Sequence, residues 1–196
     1  MKNYRWRVNE IVVLAVLAAA CSVIFAIWNS AVYPAAKALL VAAPEYRPLI
    51  GGAWLLAGVL CGYIIRRPGA ALAGEIIAAF ISSMLPGGAG ASGEILLSGL
   101  IQGVGAEIIF ALFLYRRWDA LTALAAGALS GAFMGISELI IYYAGVYDGS
   151  KAFVYALCSI ISGAILAGGG SWLLTRALAQ TGVLASLASG TQSRSA

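Results

Sequence analysis

No histidine occurs among the 196 residues. Its absence removes histidine-based zinc sites and serine–histidine triads at once. Charge is scarce too: 10% of residues are charged, where a soluble domain carries roughly 25%. The three cysteines, Cys21, Cys61 and Cys158, each lie inside an apolar run without close metal-ligand spacing, so they read as small packing residues. No G-x-x-x-x-G-K-[ST] phosphate loop is present, so the chain should not hydrolyse ATP itself. The glycine-rich stretch GGAGASG lies between apolar runs, not between a strand and a helix, and is no nucleotide fingerprint. No nucleophile is paired with a base. Catalytic residues, metal ligands and cofactors are therefore not expected.

What is there is hydrophobic: 62% of residues are apolar and the mean hydropathy is +0.93. The natural unit is then the spanning helix, which needs about 20 apolar residues. Runs bounded by charge and Gly/Pro punctuation predict six of them, at 9–32, 49–65, 69–86, 94–115, 120–144 and 152–177. The expected fold is an all-α integral membrane bundle, with residues 1–185 forming one six-helix domain and 186–196 a disordered tail. The first apolar run is too long for the core of a signal peptide and reads as a membrane helix rather than a cleaved leader. The segment 33–48, with three prolines, is expected to loop over the outer surface.

The net charge of +4 does not mark a nucleic-acid partner, because the basic residues sit in short clusters between apolar runs. They report topology instead. With the N-terminus inside, Lys2, Arg5, Arg7, Arg66, Arg67, Arg116, Arg117, Arg176 and Arg194 are all internal. Only Lys37, Arg47 and Lys151 fall outside, which satisfies the positive-inside rule and puts both termini in the cytoplasm. Small residues recur at every fourth position, as in Gly127/Gly131/Gly135, Gly99/Gly103, Gly58/Gly62 and Ala15/Ala19. Such spacing lets membrane helices approach closely.

Four carboxylates interrupt the apolar runs: Glu75, Glu94, Glu107 and Glu138. Intramembrane ionisable groups are costly and are functional by default. At about 1.5 Å per residue, Glu75 and Glu107 come to similar depth on consecutive antiparallel helices, roughly 9 and 12 Å from the inner ends. They are expected to face one cavity, with Gln102 flanking it. Glu94 and Glu138 belong nearer the outer surface, where Tyr142 shares a helical face with Glu138. No basic residue is expected at these depths, so the carboxylates must be protonated, hydrated or paired with something from outside. A cationic, donor-rich small molecule would be such a partner, and Trp28, Trp54, Tyr142 and Tyr143 could cover its ring.

Two stretches, RRPGAALAGEIIAA (66–79) and GLIQGVGAE (99–107), resemble the signature segments of the YkoE-type S components of energy-coupling factor (ECF) vitamin transporters. ALAQTGVL (177–184) resembles the family's end. The resemblance implies a subunit of a bacterial plasma-membrane importer that binds a thiamine-type vitamin from outside. It also implies partners on separate chains, namely a transmembrane coupling protein and ABC-type ATPases. In such proteins an Ala-x-x-x-Ala pattern on the first helix meets the coupling protein, and Ala15 and Ala19 match it. Glu75, Gln102 and Glu107 occupy the matching motif positions for ligand binding, and Glu94, Glu138, Trp54 and Tyr142 follow on depth and chemistry. Thiamine and its hydroxymethyl-pyrimidine precursor remain open as ligands. A stand-alone proton-coupled transporter, with Glu75 and Glu107 as relays, is the main rival, and an intramembrane enzyme the weaker one.

Overall fold

The structure is a computed structural model that describes residues 5–185 except 89 and 91, together with 187 and 189. Among the described residues six helices follow one another: α1 (Val8–Leu39), α2 (Pro44–Ile65), α3 (Ala70–Met84), α4 (Gly93–Leu112), α5 (Ala120–Ile141) and α6 (Gly149–Gln180). Five of them are long and apolar enough to cross a membrane. The exception is α3, whose 15 residues reach about 22 Å against a hydrocarbon core of about 30 Å.

The centre of the bundle is α2. Every residue from Leu55 to Ile65 is buried, as expected of a helix that is apolar on all sides. One face packs with Leu14, Ala18, Cys21 and Phe25 of α1 and Ala78 of α3, and Leu184 and Leu187 close this cluster at its base. The other face packs with Phe110, Ala123, Ala126, Met134 and Ala167 from α4, α5 and α6. Cys21 and Cys61 are buried free thiols in the first cluster, and Cys158 is a buried free thiol on α6. Large exposed apolar side chains such as Val12, Val16, Leu121 and Ile165 lie on the outer faces, where lipid would cover them. Of the tail expected from 186 onward, only 187 and 189 fall among the described residues.

The recurrent small residues pack the bundle internally. A methyl group on Gly127 would collide with the carbonyl of Gly163, and one on Gly131 with that of Ser159, so α5 and α6 meet backbone to backbone. Gly99 and Gly103 of α4 lie against Ile76 and Leu72 of α3 in the same way.

Two expected boundaries are corrected. The first helix does not end at residue 32 but continues through Pro34 to Leu39. A proline in a regular helix clashes with the carbonyl four residues back, and here the wide π turn over Trp28–Val32 precedes it and relieves that conflict. The second helix begins at Pro44, and its first twelve residues form a tight 3-10 helix that becomes α-helical at Leu56. Little of 33–48 is therefore free loop.

Contacts tie the basic turns together at one end. The Trp6 indole donates to the Pro68 carbonyl at 3.2 Å, and Arg67 pairs with Glu10 at 2.8 Å. The Tyr63 hydroxyl donates to the Trp118 carbonyl at 2.6 Å, while the Arg66 guanidinium lies 5.0 Å from the Trp118 ring centre. Burial holds the Arg66 guanidinium down to about 10. At the same end Asp119 caps α5, accepting from both the amide and the hydroxyl of Thr122 at 2.8 Å, which hold its carboxyl below the usual range. The N-terminal segment, the 66–69 turn and the 116–119 turn thus share one face, the one that positive-inside reasoning assigns to the cytoplasm.

Candidate ligand pocket

A cavity of about 330 Å³ opens at the opposite end of the bundle, within the range of small-molecule sites. Its place follows from the short α3. Because that helix stops at Met84, a stretch of irregular backbone, including Gly87 and Gly88, descends to the depth of its neighbours and forms part of the wall. Non-helical backbone at membrane depth is tolerated where it lines a cavity.

Glu75 lies on the wall of this cavity and is 1% exposed. One carboxylate oxygen accepts the Gly58 amide at 2.6 Å. Among the described residues no arginine or lysine forms an ion pair with it. Gln102 of α4 lines the cavity one helix away, and its backbone carbonyl accepts the Ser130 hydroxyl at 2.9 Å, which ties α4 to α5 at this level. Glu138, near the end of α5, closes another side and accepts the Tyr155 hydroxyl at 2.7 Å. Tyr142 stands beside it at the mouth and is 46% exposed.

The aromatic wall is built by the π turn of α1. Widening the helix at Trp28–Val32 brings Asn29 and Tyr33 to the cavity. The Trp54 indole donates to the Asn29 side-chain oxygen at 2.8 Å, and Trp54 meets Tyr33 edge to face with ring centres 4.9 Å apart. With its oxygen engaged, Asn29 keeps its amide N–H groups for another acceptor. Trp28 takes a different role: its indole donates to the Ile50 carbonyl at 3.1 Å, fastening α1 to α2, and it does not line the cavity.

The structure thus brings together Glu75, Gln102, Glu138, Trp54 and Tyr142, and leaves out two of the expected residues. Glu107 is not on the wall. Its carboxylate accepts the amides of Gly69 at 2.6 Å, Ala71 at 3.0 Å and Leu72 at 3.4 Å, and the Tyr115 hydroxyl at 2.6 Å. It therefore caps the start of α3, where unsatisfied N–H groups favour an anion. The expectation that Glu75 and Glu107 face one cavity is thus corrected: Glu107 points to the start of α3 and Glu75 to the cavity. Glu94 is exposed in the first turn of α4, which suits the helix dipole, and lies off the wall. Asn29, Tyr33 and Ser98 line the cavity and escaped the sequence reading, since none carries a charge in an apolar run. The expectation of no basic residue at depth also needs correction: Arg47 shares a neighbouring cavity with Glu138.

Fold and site together define a polytopic helical membrane protein with a polar, carboxylate-bearing pocket at one end of the bundle. Residues 9–133 match the family described as the permease component of the ABC-type cobalt transport system. A Bacillus subtilis (strain 168) protein that bears the name HMP/thiamine permease protein YkoE is 32% identical over 188 residues, 94% of this chain and 90% of that protein. A solved crystal structure of an S component of an ECF transporter superposes with a TM-score of 0.88 at 29% identity, covering 97% of this chain and 94% of that one. The chain belongs to the YkoE-type S components of ECF transporters: a multi-pass bacterial membrane protein that serves transport and is not an enzyme.

Proposed function

We propose that this chain captures thiamine from outside the cell. The observation that carries this reading is the buried Glu75 carboxylate on the cavity wall, bonded to a backbone amide and lacking a cationic partner among the described residues. Thiamine has a permanently cationic thiazolium and an aminopyrimidine with both donors and acceptors. Glu75 and Glu138 supply negative charge and acceptors. Gln102 and the Asn29 amide supply donors, while Trp54, Tyr33 and Tyr142 supply ring faces. The name borne by the Bacillus subtilis relative supports both thiamine and hydroxymethyl-pyrimidine (HMP) as the class.

Delivery falls to partner chains. Ala15 and Ala19 are exposed on α1 beside Val12 and Val16, so this face remains open to a coupling protein, with ATPases as the energy source. Capture at the outer face is followed by reorientation of the whole subunit against that partner and by release inside.

Titration calorimetry of the purified protein with thiamine, with HMP as competitor, tests the proposal. Tight thiamine binding, abolished in Glu75→Gln, supports it. If a folded protein fails to bind thiamine, the ligand is wrong. Uptake by the purified chain alone, driven by a proton gradient, would favour the stand-alone carrier instead.

A further inference from the structure

A second cavity of about 200 Å³ adjoins the first and shares Tyr33, Trp54, Glu138 and Tyr142 with it. Its far wall brings in Arg47 of the 3-10 helix and Tyr143 of the α5 end. Met134 backs it, with its terminal methyl 2.7 Å from where a Cβ on Gly51 would stand, so a side chain there would push the flexible methionine aside. The Arg47 Nε is buried, yet makes no hydrogen bond to a described residue. Buried donors are nearly always satisfied, so one left over in a cavity wall calls for an acceptor from outside. Glu138 offers one carboxylate, but that group is bonded to the Tyr155 hydroxyl and forms no ion pair with Arg47.

The two cavities are therefore polarised. Glu75 lies in the first and Arg47 in the second, while Glu138 and the aromatic side chains of Tyr33, Trp54 and Tyr142 line both. A ligand that spans both should carry a cation or donor edge at one end and an anion at the other. A guanidinium fits a phosphate group through paired N–H donors.

We propose that the second cavity is an anion subsite, and that through Arg47 the protein also accepts ligands whose alcohol end carries a phosphate monoester. This rests on the thiamine-type reading of the main pocket and deepens it. Arg47 thereby sets specificity for the far end of the ligand, whereas Glu75 serves the near end.

The test is calorimetry on the full chain in detergent, with thiamine and thiamine monophosphate as paired titrants. Wild type should bind the ester within about ten-fold of thiamine, and Arg47→Met should weaken the ester by about ten-fold or more while changing thiamine less than about two-fold, as expected for loss of one charge-assisted contact. Arg47→Lys, which keeps the charge, should recover part of the ester affinity. Wild type that binds thiamine but rejects the ester overturns the subsite, as does an Arg47→Met variant that treats both ligands alike. Wild type that binds neither overturns the thiamine reading itself, so the two failures are distinguishable.

Discussion

The Glu75 carboxylate and the Gly58 amide are locked together at 2.6 Å, and a methyl group on Gly58 would stand 2.9 Å from the same oxygen. The glycine is what allows the carboxylate to reach backbone. Gly58→Ala should displace Glu75 from this bond and lower thiamine affinity, by about ten-fold if the net worth of one hydrogen bond to a charged group is lost. Calorimetry on a variant that still elutes as a single species checks it. Unchanged affinity would show that the Gly58 bond does not position Glu75.

Glu107 makes the contrasting case. Removing its carboxylate in Glu107→Ala strips three amides and a tyrosine hydroxyl of their acceptor. A loss of about 1–3 kcal/mol of stability is expected, seen as a lower melting temperature in detergent. At temperatures where the variant stays folded, ligand affinity should change far less than in Glu75→Gln. A large, selective loss of binding without thermal destabilisation would return Glu107 to the site.

The bond from Trp54 to Asn29 separates two functions of one wall. Trp54→Phe keeps a ring face and removes the N–H, freeing the Asn29 oxygen to rotate. Its effect on thiamine affinity should be smaller than that of Trp54→Ala, which also removes the ring. Equal losses in the two variants would mean that the indole N–H, not the face, is what matters.

On α1, Ala15→Trp should leave ligand binding intact, because the residue is exposed and remote from the pocket. Co-purification with the coupling protein should fall sharply, since bulk prevents close helix approach. Undiminished co-purification, also in Ala19→Trp, would move the docking face elsewhere.

Where α5 meets α6 there is no room for a side chain at Gly127. Gly127→Leu should therefore destabilise the bundle by more than about 1–3 kcal/mol, the usual cost of overpacking. Melting curves are the readout, and a variant as stable as wild type would contradict the backbone contact.

Much of the architecture was legible because lipid imposes it. Apolar run length and arginine placement are read by the bilayer itself, so four of the six helices fell within three residues of their expected bounds. Pro34 misled because proline chemistry argues for an ending, while the π turn that absorbs it depends on tertiary packing. Within the site, Glu75, Gln102 and Glu138 stood out as polar residues in apolar runs. Glu107 stood out equally, and its direction was the hidden variable: a rotation about the α4 axis decides between cavity and helix end. Asn29 gave no signal, because an uncharged amide near an interface is ordinary and only the widened turn carries it to the wall.

The contacts at the arginine-rich end have a consequence for direction. Glu10 with Arg67, Trp6 with Pro68, Tyr63 with Trp118 and Glu107 with the first turn of α3 seam the base of the bundle from four sides. Under the proposed function, a pocket tied shut at its base would fill and empty through one mouth, and net uptake would require partner chains to turn that mouth inward.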